Sequence, residues 1–407
     1  MMPHILYISY DGLTSQIGQS QVLPYILELS RNGHRICVVS FEARGDFKRL
    51  RATVSDELTM SGIEWHPRRF RSRPPLVAKI IDHLDALWTA LRLTRHHRFE
   101  IVHCRSYFAA DIGLKLKRIF GSRMLFDMRG FWVDQRREGG RWPQEKLLFR
   151  FLYRRWKAKE AEFIAHSDEI VVLTEAAKDE IETWTAYNGQ PISVIPCSLK
   201  YERFPISNQN ETLSARRQLK IEPNSLVLAY LGSLGTVYLF HEMIVLYQSL
   251  KRIQKKSILL MIGRHNQQDI IQSAQEIAPE LNLNDFRFVK AEHSEVPFWL
   301  GAANIGVCFI TSSFSSLGVS PTKLGEYLAA GLPVISNDGI GDVRSIIDDS
   351  DAGHVLIDFS PHSIEVAIKQ IVRLAGYSRE ALRERSRPFH DMERAVGLYD
   401  QIYRRLA

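Results

Sequence analysis

The chain has 407 residues, 45% of them apolar and 24% charged, with a formal net charge of +7. That length exceeds what one hydrophobic core usually supports, so two domains are expected, and the balanced composition excludes a disordered or low-complexity chain. No run of about 18 apolar residues occurs, which argues against a membrane-spanning helix.

The opening MMPHILYISYDG lacks a basic leader and a small-residue cleavage site, so a cytoplasmic location is expected. HILYIS reads as the first strand. ISYDGLTSQIGQSQVLPYI then passes through Gly12 and Gly18 into a helix starting near Gln19. Backbone N–H groups at such a helix start attract anions, and glycine permits close approach, which makes Gly18 a candidate ligand contact. There is no GxGxxG, so dinucleotide binding is poorly supported.

HRICVVSF reads as the next strand. Arg68, Arg69, Arg71 and Arg73 follow as a basic cluster, either a solvated helix face or an anion-attracting patch. Val77 to Thr94 reads as a helix, with apolar residues at 77, 80, 81, 84, 87, 88 and 91. EIVHC carries His103 at a strand end, followed by Arg105, and RMLFDM ends near Asp127, with Arg129 just beyond in FDMRGFW. Asp127 suits orienting or deprotonating a hydroxyl, and Arg129 suits holding a phosphate. The alternative for that pair is an internal contact that orders the loop, and for His103 a structural role. A second basic cluster holds Arg150, Arg154, Arg155, Lys157 and Lys159. EIVVLT and ISVIP complete this half. Apolar strands separated by helices imply a doubly wound parallel sheet.

PCSLKYERFPISNQNETLSARRQ breaks the rhythm and reads as a linker. The pattern restarts with SLVLAYLGSLG, SILLMIG, FRFVK, NIGVCFI, LPVIS and GHVLID. One strand ends near Gly232, and Ser233 to Thr236 form a small-residue loop. Arg264 follows the next strand. In SSLGVSPTKLGEYLAAGLPVIS, Gly318, Ser320 and Thr322 precede a helix opened by Pro321 and ended by Gly331. Leu324, Tyr327 and Leu328 share its apolar face, and Lys323 and Glu326 are charged residues within it.

The expected fold class is α/β: two Rossmann-like, doubly wound domains facing a cleft. The first covers residues 1–203, the second 204–389, and a helix at about 390–407 is expected to pack back on the first. Three anion-friendly loops point to a diphosphate-bearing ligand. Cys37, Cys104, Cys197 and Cys308 have neither metal-ligand nor redox spacing, and no DxD-like motif ends a strand, so no metal and no cofactor are expected. Residues 1–200 carry 31 Lys and Arg against 23 Asp and Glu, a net +8. That excess suits a phosphate-bearing acceptor or an anionic membrane surface; no motif points to nucleic acid.

Together DGLTSQIGQSQVLPYI, FDMRGFW, VIPCSLKYERF, YLGSLGTVY and SPTKLGEYLAAGLPVIS resemble the retaining glycosyltransferases of family 4, which have the GT-B fold. The resemblance implies a hexosyltransferase-type enzyme; the residues lead one to expect that it is metal-independent and, given the charge of the first half, cytoplasmic or peripheral at the inner membrane surface. The resemblance implies transfer from a nucleotide-sugar to a glycan or lipid-linked acceptor, as in the synthesis of cell-surface polysaccharide or glycoconjugate. Donor binding would fall to Gly18, Gly232, Ser233, Arg264, Gly318, Ser320, Thr322, Lys323, Leu324 and Glu326, with Glu326 accepting from ribose hydroxyls. Asp127, Arg129 and His103 would serve catalysis. Two departures stand out. Gly318 occupies the place of a first glutamate, and the GSLGTVY loop lacks the usual Arg and Lys, leaving Lys323 and Arg264 as candidate replacements. A nucleotide-sugar epimerase of the same fold and a degenerate, non-catalytic sugar-nucleotide-binding protein are the competing readings. A nicotinamide dehydrogenase fits least.

Overall fold

The structure, a computed structural model, describes residues 3–235 and 237–407, with only the backbone at residue 75. It divides into two compact units, Met1–Pro196 with Leu317–Val319 and Met392–Ala407, and Cys197–Ser316 with Ser320–Asp391.

The first unit is built on seven parallel strands: β1 (His4–Ser9), β2 (Arg35–Glu42), β3 (Glu64–Arg69), β4 (Ile101–Arg105), β5 (Arg123–Asp127), β6 (Glu169–Val172) and β7 (Ile192–Val194). Their order is β3-β2-β1-β4-β5-β6-β7. The chain winds outward both ways from β1 and β4, so a crevice opens at the carboxyl ends of those two strands. Ile5, Tyr7, Val38, Ile101 and Leu125 form the core, which the last helix, Met392–Leu406, completes with Val396, Tyr399 and Tyr403.

The second unit has six parallel strands: β8 (Val227–Leu231), β9 (Ile258–Ile262), β10 (Phe286–Val289), β11 (Ile305–Cys308), β12 (Val334–Asn337) and β13 (Gly353–Leu356). The order β10-β9-β8-β11-β12-β13 places the corresponding crevice at β8 and β11. The expected pair of Rossmann-like parallel sheets is therefore present.

Three local readings change. EWHPRR is the edge strand β3, so Arg68 and Arg69 do not lie on a helix. Pro67 gives no N–H to a ladder, which only an edge position tolerates. The supposed linker contains the helix Gln209–Gln218, started by a capping box between Asn208 and Glu211 rather than by an apolar stripe. The helix expected over 77–94 runs Pro75–His97, but most of its large apolar residues point outward. Ala78, Ala86 and Ala90 are buried instead. A 3.6 period reveals an amphipathic helix, not which face meets the core.

The helix Thr322–Ala329 behaves as its sequence dictates. Leu324, Tyr327 and Leu328 are fully buried. Gly331 adopts φ +69. Its N–H bonds the Leu328 carbonyl at 3.0 Å, and the Leu332 N–H bonds that of Tyr327 at 2.9 Å, a Schellman end. The Tyr327 hydroxyl accepts from the Leu231 N–H at 2.7 Å and donates to the Ala229 carbonyl at 3.1 Å, which ties this helix to β8. Its ring lies against Gly306, where a Cβ would stand 2.5 Å from ring carbon. Tyr327→Phe removes both bonds and is expected to cost about 1–3 kcal/mol, read as a lower denaturant midpoint at unchanged slope.

Candidate functional site

In the second unit the site grows from the carboxyl ends of β8 and β9. β8 passes into Gly232 at φ +99, and β9 into Gly263 at φ +156. A Cβ on Gly263 would stand 2.7 Å from the Gly232 carbonyl oxygen, so the two turns approach as only glycine allows. Beside them lies Lys323, 5% exposed. A Cβ on Gly232 would be 3.9 Å from its Nζ. That Nζ has no hydrogen-bond partner among the described residues. It rests 3.7 Å from the ring centre of Tyr238 and 4.1 Å from that of Tyr230. Burial pushes its pKa down to about 8, although Cys308 and Glu326 pull the other way. Cation–π contact offsets only part of the cost of burying an ammonium, so the group lacks an anion. His265 Nε2 is also buried without a partner. Burial and then Lys323 depress its pKa, which keeps the imidazole neutral.

Glu326 follows Lys323 by one helical turn. Its carboxylate is 13% exposed and lies 3.1 Å from His293 Nε2, at the rim. Ser233, just after Gly232, and Thr322, at the helix start, are both exposed. The other expected donor contacts are placed differently. Arg264 is more than half exposed and pairs with Glu292 at 3.2 Å, so Lys323, not Arg264, is the buried cation here. Ser320 Oγ accepts from the Cys197 N–H at 3.1 Å. The Leu324 side chain belongs to the core, and Gly318 is buried in the segment Leu317–Val319 that clusters with the first unit. Thr236 lies outside the described residues.

In the first unit, His103, Arg105, Asp127 and Arg129 come together at the ends of β4 and β5. Asp127 is fully buried. Its carboxylate lies 3.4 Å from His103 Nε2, 3.6 Å from Arg105 Nη1 and 3.9 Å from Arg129 Nη1. It also accepts from the Tyr399 hydroxyl at 3.3 Å. Burial alone would raise its pKa; Arg129, the His103 bond and Arg105 outweigh that and hold it below the usual range. His103, paired through Nδ1 with the Tyr403 hydroxyl at 2.7 Å, is depressed by burial and stays neutral. A carboxylate stabilised this way is a weak proton acceptor, so the geometry favours Asp127 as an internal anchor for two guanidiniums. Arg129 adopts φ +56, a left-handed conformation an arginine rarely holds unless its surroundings impose it.

Gly18 lies in the short helix Gln16–Gln21, where its N–H bonds the Ser15 hydroxyl at 3.0 Å. A Cβ there would stand 1.9 Å from the Gly12 carbonyl oxygen, so the loop closes on itself at this glycine. Buried Glu42 holds the same loop, accepting from the N–H groups of Leu13 at 2.8 Å and Thr14 at 3.1 Å. Sequence reading missed Glu42, Tyr399 and Tyr403, and also Tyr230 and Tyr238. Only the buried carboxylate at a strand end, Glu42, offered a signal. Among the described residues one group has metal-ligating chemistry: Cys37, Glu64 and His66, with ligand atoms within 4.8 Å of one another. It lies toward the amino ends of β2 and β3, away from the crevice, and burial followed by Glu64 pushes the Cys37 thiol up.

The model described as Glycosyltransferase Family 4 matches residues 21–203, and that described as Glycosyl transferases group 1 matches residues 212–388. No curated protein sequence matches the chain significantly. Among solved structures, the sucrose-phosphate synthase of Thermosynechococcus elongatus is 14% identical with a TM-score of 0.71, covering 99% of both chains. Anabaena HepE in complex with UDP and glucose is 13% identical with a TM-score of 0.70, covering 98% of this chain and 99% of its own. WaaG, a glycosyltransferase involved in lipopolysaccharide biosynthesis, is 14% identical with a TM-score of 0.64 over the same shares. With one transferase model on each half and this fold beneath both, the chain is a GT-B glycosyltransferase.

Proposed function

We propose that the enzyme transfers a hexose from a nucleoside-diphosphate sugar to a glycan or lipid-linked acceptor, with retention, in the synthesis of cell-surface polysaccharide or glycoconjugate. The observation that carries this reading is the buried Lys323 ammonium, which lacks an anion at the mouth of the second sheet. A donor diphosphate supplies one. As the bond from the anomeric carbon to the β-phosphate oxygen breaks, that oxygen gains negative charge. An ammonium and the N-terminus of the helix Thr322–Ala329 then stabilise the leaving group more than the ground state. Retention follows from the family resemblance. The UDP and glucose bound to Anabaena HepE support a nucleotide-sugar donor.

Glu326 receives the ribose hydroxyls, its carboxylate reached from the rim beside His293. Gly232 and Ser233 give the phosphates a close backbone approach. On this reading the acceptor belongs to the first unit, where Arg105 and Arg129, steadied by Asp127, offer positive charge near the β1 and β4 crevice. No step requires a metal.

Lys323→Met is expected to weaken binding of the preferred nucleoside diphosphate, from a UDP, GDP and ADP panel, by about 10–100-fold in titration calorimetry. In the wild type that affinity should fall as pH rises through about 8, where the free ammonium loses its proton. In Lys323→Met it should stay flat.

The same burial has an opposite effect on the unliganded fold. The folded pKa of about 8 lies below the ordinary lysine value of 10.5, so folding below pH 8 carries the cost of a buried charge. That cost disappears as pH rises toward 10.5. Lys323→Met should therefore raise the unliganded melting temperature at pH 7, and its advantage over wild type should shrink by about pH 10. Glu326→Gln should weaken nucleoside diphosphate about tenfold while leaving inorganic diphosphate almost unchanged, because only the former has a ribose.

A further inference from the structure

We infer that the first unit docks on an anionic lipid surface through the outward face of the helix Pro75–His97 and the start of the helix Leu147–His166. Leu76, Val77, Ile80, Ile81, Leu84 and Trp88 are each between 43% and 60% exposed. They recur at intervals of four, so they form one stripe about 18 Å long at 1.5 Å per residue. Soluble surfaces seldom leave such a continuous apolar strip in water. No helix among the described residues is long and apolar enough to cross a membrane. This one fits lying in the interface plane.

The second helix repeats the pattern. Leu147, Leu148 and Phe151 are between 50% and 72% exposed, beside exposed Arg150, Arg154 and Arg155. Both helices flank the helix Ser106–Phe120. Lys115 Nζ lies 3.2 Å from His83 Nε2 on one side, and Lys159 Nζ lies 3.0 Å from Asp111 on the other. The two apolar faces thus belong to one layer of the unit. The first helix begins a few residues after the carboxyl end of β3, at the crevice end of the sheet.

Charge selects the occupant. Residues 66–98 hold eight Lys and Arg against two acids, and residues 136–159 hold nine against two. The two acids of the first helix are turned inward: Asp82 is buried against Arg71 at 2.9 Å, and Asp85 lies 3.5 Å from Arg68. Arg92 covers the Trp88 ring at 5.6 Å, a pairing suited to the headgroup level. A second copy of the chain would bring two cationic rims together and repel; an anionic lipid surface attracts both the rim and the stripe. The purpose of this docking rests on the proposed reading: it brings the crevice of the first unit to an acceptor carried on a lipid.

The test is flotation of the full chain with vesicles of phosphatidylcholine alone or mixed equally with phosphatidylglycerol. Binding is expected only to the mixed vesicles, and to fall as salt rises from about 0.05 to 0.5 M. Ile80→Ser with Leu84→Ser should cut it about tenfold, and Arg150→Glu with Arg154→Glu should do likewise. Circular dichroism and the stabilisation by nucleoside diphosphate should stay unchanged in both. Flotation that is absent, indifferent to lipid charge, or equal in wild type and variants overturns the inference. So does a wild-type dimer that light scattering shows turning monomeric in the serine variant while vesicle binding persists. Loss of nucleotide stabilisation in the wild type would count against the donor reading alone.

Discussion

The candidate site of the second unit depends on a lysine ammonium held out of water without a counter-ion. Lys323 sits over two tyrosine faces and beside a glycine turn, with its Nζ unbonded. Burying a charge is costly, and cation–π contact recovers only a small share. A protein retains such a group when a ligand completes it. The elements around it serve that arrangement. Tyr327 fixes the helix to β8, Gly331 stops it, and Gly232 and Gly263 clear the backbone around the ammonium. Lys323 also accounts for the glycine loop of the second unit, which carries no cation of its own.

The first unit solves a different electrostatic problem. One buried carboxylate, Asp127, is shared by two arginines and a histidine, which leaves the centre with a net positive charge. Two tyrosines from the last helix close that network, so the end of the chain completes both the core and the polar centre. A centre built this way holds its guanidiniums in place and presents positive charge without a mobile proton. The unit's outer layer is basic and apolar at once, a combination that water alone does not favour.

Much of this was legible in the sequence. The alternation of apolar runs and amphipathic segments showed two parallel sheets, because strands buried on both faces leave a distinct pattern. Lys323 and Glu326 stood out as charges in an otherwise apolar helix between Pro321 and Gly331. What stayed hidden depended on contacts across the fold. Tyr230 and Tyr238 read as ordinary core aromatics until Lys323 is placed over them. Tyr399 and Tyr403 lie some 270 to 300 residues from their partners Asp127 and His103. Periodicity located the helix Pro75–His97 but carried no information on which face meets the sheet: alanines give closer packing there and leave the larger residues outside. The helix Gln209–Gln218 was missed because a capping box, not a stripe, announces it.

The most direct measurement is the titration of Lys323 itself, followed by NMR on protein carrying 13C-labelled lysine, with Lys323→Met to assign the resonance. In the free protein the resonance should titrate near pH 8. On saturation with nucleoside diphosphate its midpoint should move above about 10, as an ammonium gains an anion. A free-protein midpoint at the ordinary lysine value, or one that nucleotide leaves in place, would contradict the assignment of Lys323 as the residue awaiting the donor's diphosphate.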